Sequence, residues 1–209
     1  MCAAPKPSDS RSDLIGAAGR VLRERGLHGL RVREVAAAAG LSPGSVMYHY
    51  STTDDLLLAV HEDAQQRYLE LRAQAAHGSG SAWSRLVAAF KVGLPPYSDN
   101  ALIELLFEMH GLTRRSPRHA VLLSRLWEEE LALNVEIVQG GISAGEFQVA
   151  DPSSAARALL ALEDGIALHL VSHNEALTSS TALTTFTTAA ATILGNPQLS
   201  RSRQVRSGP

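Results

Sequence analysis

The sequence lacks the features of disulfide-bonded, membrane-spanning and secreted proteins. A single cysteine, Cys2, excludes an internal disulfide and favours a reducing compartment. No run approaches the ~20 uninterrupted apolar residues that a membrane span requires. Residues 1–11 lack the apolar stretch of a secretory signal. We therefore expect a cytoplasmic protein with no membrane partner.

Catalytic signatures are also missing. The sequence has no glycine-rich phosphate loop, no nucleophile elbow and no HExxH pair. His169 and His173 are spaced i, i+4, as metal ligands on a helix can be, but no further ligands accompany them. A surface or interface pair is the favoured interpretation. We predict no catalytic residue, no metal and no other cofactor.

The distribution of charge is more informative than its sum. The formal net charge is −2, whereas residues 11–50 hold six basic and three acidic side chains. A locally basic segment fits DNA binding, because neutralised phosphates provide much of the affinity for DNA. An imbalance of this size also arises often by chance, so it supports a DNA-binding motif without identifying one.

Apolar residues recur with the period of an α-helix, and strand signals are nearly absent. The first helix is expected to end at Gly26, because glycine adopts the left-handed conformation without steric cost. Its apolar stripe consists of Leu14, Ala17, Ala18, Val21 and Leu22. Further helices are predicted at 32–39, 43–50, 53–76, 82–93, 98–113, 118–140, 152–173 and 179–194. The protein is therefore predicted to be all-α.

Residues 31–50 have the dimensions of a helix-turn-helix. The two short helices are joined by residues 39–42, in which Gly40 supplies the turn. Val46 and Tyr50 are four apart and are predicted to face the core, which leaves the rest of the second helix free to enter the major groove. An ordinary helical hairpin with a tight glycine turn has the same spacing, and it stays open as an alternative.

The stretch from Asp13 to Val60 resembles the DNA-binding domain of TetR-family regulators, above all in the run VREVAAAAGLSPGSVMYHYSTTDDLL. Segment 151–167 is similar to the eighth helix of the betaine-aldehyde-pathway repressor-like branch of that family. The resemblance implies about nine helices, with an amino-terminal three-helix helix-turn-helix domain. It also implies a carboxy-terminal helical domain that binds a ligand and dimerises.

Contacts with DNA are expected from the helix-turn-helix and from the start of the fourth helix. These residues are Arg31, Arg33, Ser42, Pro43, Gly44, Ser45, Met47, Tyr48, His49 and Thr53. Three of them depart from the family pattern. Arg31 replaces a capping threonine, and Met47 replaces a tyrosine but keeps an apolar contact for a thymine methyl group. Thr53 replaces a lysine, and we expect it to cap the fourth helix and to leave a shallower salt dependence.

The resemblance implies that helices five to seven, with part of helix eight, enclose a small-molecule pocket. Its candidate residues are Trp83, Phe90, Tyr97, Phe107, His110 and Trp127. For any one of these side chains, a role in the core is the favoured interpretation. The acidic run Glu128 to Glu130 is most simply a solvated helix face.

Helices eight and nine are expected to pair with a second subunit as a four-helix bundle. Helix eight combines small and large apolar residues on more than one side, and such a helix needs two partners. The predicted interface residues are Leu159, Leu162, Ile166, Leu170, Leu183, Phe186 and Ala190. Packing within one chain alone is the alternative.

These observations and the family resemblance together predict a DNA-binding transcriptional regulator, a homodimeric repressor that a small-molecule effector releases from a palindromic operator. Residues 11–56 are expected to form the DNA-binding domain and residues 57–195 the effector-binding and dimerisation domain. Residues 1–10 and 196–209 are expected to be disordered tails. A metal-responsive regulator is the alternative, followed by a helical small-molecule-binding protein or enzyme that does not bind DNA.

Overall fold

The computed structural model describes residues 10–95, 97 and 99–196, and this part of the chain contains nine helices and no strand. The helices are α1 Ser10–Gly29, α2 Val32–Ala39, α3 Pro43–His49, α4 Thr53–Ala76, α5 Ala82–Val92, α6 Asn100–Thr113, α7 Pro117–Ser143, α8 Pro152–Val171 and α9 Ser179–Ile193. The all-α prediction is confirmed. None of these helices is long and apolar enough to cross a membrane.

Local sequence signals determine where most helices start. The side chains of Ser42, Ser81, Asp151 and Thr178 each accept a hydrogen bond from the backbone N–H three residues later. Such caps satisfy N–H groups that have no partner within the helix. This explains why helix boundaries were predicted to within a few residues.

Gly26 interrupts α1 without ending it. Its backbone is non-helical, with φ 65° and ψ −177°, yet a further helical turn continues to Gly29. The left-handed φ was expected from the glycine, whereas the extra turn was not. Beyond the end of α9, Asn196 was expected in a disordered tail but is buried, and its N–H donates to the Ala191 carbonyl at 3.1 Å. The other tail residues, 1–9 and 197–209, lie outside the described residues.

The chain divides into two compact units. The first contains residues 10–66 and Glu108–Leu123, and the second contains the described residues of Arg67–Phe107 and 124–196. The boundary expected near residue 56 thus differs from this division. The beginning of α7 joins the first unit because Arg118 forms ion pairs with Asp54 and Asp55 of α4, at 3.5 and 2.8 Å.

Each unit has its own apolar core. In the first, all five residues of the predicted α1 stripe are buried, together with Val35, Val46 and Tyr50. In the second, Phe90 of α5 stacks on Phe186 of α9, with ring centroids 3.5 Å apart. Burial of large apolar side chains of this kind contributes about 1.5–3 kcal/mol each to folding.

A buried pair of histidines lies in the core of the first unit. His61 of α4 and His119 of α7 are almost fully buried, and their Nδ1 atoms are 2.9 Å apart in a hydrogen bond. The rings are stacked, and Nε2 of His61 also contacts Nε2 of Gln65 at 3.0 Å. A hydrogen bond between two Nδ1 atoms needs one donor and one acceptor, so the ring that accepts must be neutral.

The surroundings of the pair favour the neutral forms. Burial above all, with smaller contributions from the neighbouring His119 and His110 rings, lowers the pKa of His61 to about 4. Burial also lowers the pKa of His119, as does Arg118, against the opposing effect of Asp54. Protonation of either ring therefore works against the folded first unit.

We expect the free energy of unfolding to fall as the pH drops from about 6.5 towards 4. Both histidines have a folded-state pKa below the ordinary value, so the unfolded chain takes up protons first. The stability that these groups contribute is complete above about pH 6.5 and is lost below it, by up to about 1.4 kcal/mol per group and pH unit. Urea unfolding at a series of pH values measures this slope.

A double variant, His61→Phe with His119→Phe, should have a flatter profile across this window, because it has no proton to take up. His28→Gln replaces an exposed histidine of α1 and serves as the matched control. An unchanged slope in the double variant would contradict the assignment.

Candidate nucleic-acid interface

A tight turn joins α2 to α3. Gly40 has φ 68° and lies in the left-handed region, and its N–H donates to the Ala37 carbonyl at 3.2 Å. The N–H of Leu41 donates to the Ala36 carbonyl at 2.9 Å. These two bonds form a Schellman motif, for which glycine is the favoured residue. The turn predicted from the sequence is therefore present.

The first turn of α3 is closed by two serines. Ser42 accepts a hydrogen bond from the Ser45 N–H at 3.1 Å, and the two hydroxyl oxygens are 3.0 Å apart. Pro43 occupies the first helical position, where its missing N–H costs nothing. Both hydroxyl groups thus already have a partner within the chain.

Two buried side chains fix the orientation of α3. Val46 and Tyr50 are 0% and 3% exposed, and the Tyr50 hydroxyl accepts a hydrogen bond from Nε of Arg11 at 3.4 Å. The opposite face of α3 is open to solvent, since Tyr48 is 86% and Met47 is 45% exposed. An exposed tyrosine of this degree is unusual in a core-packed helix and marks a surface that is available to a partner.

Two arginines lie at the start of α2. Arg31 lies at the amino-terminal cap position and forms no side-chain cap, as its replacement of a threonine implied. Arg31 and Arg33 are both exposed. Two contacts hold α2 to α1: Arg25 pairs with Glu34 at 2.6 Å, and Arg20 donates to the Ala38 carbonyl at 3.1 Å.

The start of α4 is capped by Thr52 and not by Thr53. The Thr52 hydroxyl accepts from the Asp55 N–H at 3.1 Å, while the Asp55 carboxylate accepts from the Thr52 N–H at 3.2 Å. This reciprocal pair is a capping box. Hydrogen bonds from Arg118 and Thr52 hold the pKa of Asp55 below its usual range. The capping role expected of Thr53 is therefore wrong, and its half-buried side chain has no such function.

All ten residues that were expected to contact DNA lie in the first unit. Seven are exposed and three, Ser45, His49 and Thr53, are half-buried. His49 also lies edge-to-face with Tyr48, with ring centroids 5.2 Å apart. The helix-turn-helix thus gathers most of these side chains on its solvent side.

The residues that were expected to bind an effector do not all share one environment. Phe90 is 1% exposed and fills the core against Phe186, so it has no surface left for a ligand. Tyr97 is exposed, with the ammonium group of Lys91 5.4 Å from its ring centroid. His110 belongs to the first unit and is exposed. The remaining three, Trp83, Phe107 and Trp127, are half-buried in the second unit.

A buried polar network in the second unit was missed at the level of sequence. Arg72 of α4 donates from Nη1 to Glu163 of α8 and to the Ala89 carbonyl of α5, and from Nη2 to Asn134 of α7. Glu130 of α7 accepts from the Tyr68 hydroxyl at 2.9 Å and lies 3.8 Å from Nε of Arg72. Glu130 is buried, so the acidic run of α7 is not a fully solvated face.

Burial dominates the electrostatics of this network. It raises the pKa of Glu163 to about 8 against the opposing effect of Arg72, and it raises the pKa of Glu130 and Tyr68 as well. Burial alone would lower the pKa of Arg72, but Glu163, Tyr68 and Glu130 together outweigh it and raise that pKa overall. Two carboxyl groups therefore surround one guanidinium.

The residues predicted at a dimer interface are largely internal. Leu159, Ile166, Phe186 and Ala190 belong to the core of the second unit and are at most 6% exposed. Leu162, Leu170 and Leu183 are half-buried and pack against that core. A side chain that is already buried within one chain cannot also be buried against a second one. The four internal residues are therefore corrected to core positions.

The two histidines near the end of α8 do not lie on one helix, since α8 ends at Val171. Nδ1 of His169 contacts Nδ2 of Asn174 at 3.2 Å. His173 lies beyond the end of α8 and has a left-handed backbone with φ 52°. No group of three potential metal ligands occurs among the described residues.

Two family models match successive parts of the chain. The model described as bacterial regulatory proteins of the tetR family matches residues 14–60. The model of the carboxy-terminal domain of BetI-type transcriptional repressors matches residues 83–195, which is more than half of the chain.

Curated relatives match over shorter stretches. The transcriptional regulator CymR of Pseudomonas putida is 42% identical over 59 residues, 28% of this chain and 29% of the relative. The repressor AcnR of Corynebacterium glutamicum is 31% identical over 71 residues, 34% of this chain and 38% of the relative. The chain thus matches well under two thirds of the length of these relatives.

Solved structures extend the similarity to the whole fold. A transcriptional regulator from Saccharomonospora viridis, solved in complex with choline, has a TM-score of 0.76 at 18% identity and covers 90% of this chain and 97% of that one. This likeness shows the fold, whereas the two family models place the chain among DNA-binding regulators and not among enzymes. The chain belongs to the TetR family of bacterial transcriptional regulators and has a BetI-type carboxy-terminal domain.

Proposed function

We propose that the chain is a homodimeric repressor that binds an inverted-repeat operator through α3 and is released by a small cationic effector. The observation that carries the DNA-binding part is the solvent-facing side of α3, with Tyr48 86% exposed while Val46 and Tyr50 anchor the opposite side. A short helix held in this way can enter the major groove. Arg31 and Arg33 supply the positive charge that phosphate contacts require.

Gly44 is proposed to be a point of close approach to DNA. It lies one turn before Tyr48, on the same side of α3, and a Cβ added to it would meet Ser42 Oγ at 3.6 Å, an ordinary contact. The chain itself therefore has room for alanine, which is the better helix former by up to about 1 kcal/mol. Retaining glycine is explained if the DNA backbone or a base edge needs the space.

The dimer is proposed to form through exposed stripes of α8 and α9. Leu168 is 52% exposed, and α9 has no charged residue at all. An open groove of about 560 Å³ runs along α9 over Thr181, Thr184 and Thr185. Small, uncharged side chains allow close approach of a second pair of helices. The stripes consist of Ala158, Ala161, Gly165 and Leu168 on α8, and Thr181, Thr184 and Thr185 on α9.

The effector is proposed to be a small organic cation that binds the second unit. Trp83 and Trp127 are half-buried in that unit and offer aromatic faces. Aromatic faces attract quaternary ammonium ions. The structurally similar regulator from Saccharomonospora viridis was solved with choline. Choline is therefore the first compound to test.

Selection from a random library of duplex DNA should return an inverted repeat. A two-fold symmetric dimer presents the same α3 to both half-sites, so the operator acquires the symmetry of the protein. Light scattering should give the mass of a dimer. A monomer that selects no sequence would contradict the proposed function.

A matched pair of variants tests the interface. Ala161→Glu introduces a charge into the α8 stripe, and we expect a shift towards monomer. Operator binding should become about a hundredfold weaker, because the two helix-turn-helix motifs no longer bind DNA as one molecule. Ala88→Glu makes the same change on the exposed face of α5 and should remain a dimer. If the two variants have the same oligomeric state and operator affinity, the interface lies elsewhere.

Gly44→Ala should weaken operator binding by about tenfold or more while leaving the melting temperature unchanged or raised. The added methyl group fits the free chain but occupies space that DNA needs. Gly16→Ala is the control, since it makes the same substitution in α1 at an exposed position where a Cβ meets Arg20 at 3.8 Å. Unchanged affinity of Gly44→Ala would show that DNA does not approach this position.

Choline should raise the melting temperature and lower the affinity for the selected operator, because a ligand stabilises the state that it binds. The uncharged analogue, in which carbon replaces the ammonium nitrogen, has the same shape and should be at least about tenfold weaker. Isothermal titration calorimetry measures both affinities. If neither compound binds at millimolar concentration, choline is rejected while operator binding stands.

A further inference from the structure

The recognition helix α3 lacks the side chains that most often read base pairs. Bidentate hydrogen bonds to guanine come from arginine or lysine, and those to adenine come from asparagine or glutamine. The seven residues from Pro43 to His49 include none of these four types. A regulator with this helix needs another way to distinguish one base pair from another.

The exposed part of α3 is mainly apolar. Met47 offers a thioether chain and Tyr48 an aromatic ring, at 45% and 86% exposure. The hydroxyl groups of Ser42 and Ser45 are 3.0 Å apart and already bonded to each other, so their hydrogen-bonding capacity towards bases is reduced. His49 is half-buried beside the Tyr48 ring. The side chains that can extend furthest into a groove are therefore Met47 and Tyr48.

Major-groove base edges carry one prominent apolar group, the C5-methyl of thymine. Apolar side chains gain free energy when they remove such a group from water, and they gain nothing comparable from the polar edges of guanine or cytosine. We infer that Met47 and Tyr48 select operator half-sites by contact with thymine methyl groups. This inference rests on the proposed operator binding and adds the chemical group that specifies the operator.

The orientation of α3 assigns the two residues to neighbouring base pairs. Successive helical residues are about 100° apart, so Tyr48 extends directly away from the buried Val46–Tyr50 side while Met47 extends to one flank. Their different exposures agree with this arrangement. The half-site should therefore contain at least one thymine that depends on each residue.

Single thymines of the selected operator can be replaced by deoxyuridine, which removes the methyl group and keeps the base pair. We expect the wild-type chain to lose about fourfold in affinity for each methyl group that α3 contacts. Thymines outside the half-sites should be insensitive. If no thymine in the half-site is sensitive, the inference is wrong, although the selected operator would still support the proposed function.

Substitutions then identify the residue that reads each methyl group. Met47→Ala should bind the thymine and deoxyuridine forms equally at its position, whereas Met47→Leu should retain the preference. Tyr48→Phe keeps the ring and should also retain its preference, while Tyr48→Ala should lose it. Val121→Ala removes an exposed apolar side chain from α7 and should change nothing. Persistent discrimination in both alanine variants would overturn the inference.

A contact between the Tyr48 hydroxyl and a phosphate gives a different result. In that case Tyr48→Phe weakens binding to every sequence alike, without affecting the preference for thymine. The salt dependence stays the same, because the phenol hydroxyl is uncharged and releases no counterion. This outcome would overturn the part of the inference that concerns Tyr48. Fluorescence anisotropy with the thymine and the deoxyuridine operators distinguishes the two.

Discussion

Val46 and Tyr50 bury one side of α3 in the core of the first unit, and this contact determines the direction in which every other α3 side chain extends. The helix has seven residues, which is too short to be stable alone in water. Its geometry therefore comes from packing, from the Ser42 cap and from the Gly40 turn. Because the anchor residues are four apart, Tyr48 faces directly outward, and its neighbours Met47 and His49 lie on the two flanks of the helix.

The second unit depends on a different kind of constraint. Arg72 has almost no exposed surface, and a buried guanidinium without partners would be very unfavourable. Its partners come from three further helices: Ala89 from α5, Asn134 from α7 and Glu163 from α8. Loss of one partner would leave part of the buried guanidinium without a hydrogen bond. The four helices are therefore held in a single arrangement.

Much of the first unit could be predicted from the sequence because its signals are local. A glycine turn, a serine cap and an i, i+4 apolar pair each act within a few residues of the chain. The pairing of Arg72 with Glu163 joins residues 91 positions apart, and no local pattern indicates it. The same limit explains why Leu159 and Phe186 were predicted at the dimer interface and are found in the core. An apolar stripe has the same pattern whether it packs on its own chain or on a partner.

Gln65 determines which ring nitrogen carries the proton in each histidine of the buried pair. The amide nitrogen of Gln65 can only donate, so Nε2 of His61 must accept and the His61 proton must be on Nδ1. That proton is donated to Nδ1 of His119, which places the His119 proton on Nε2. The two rings therefore hold opposite tautomers, and the orientation of one amide group decides both.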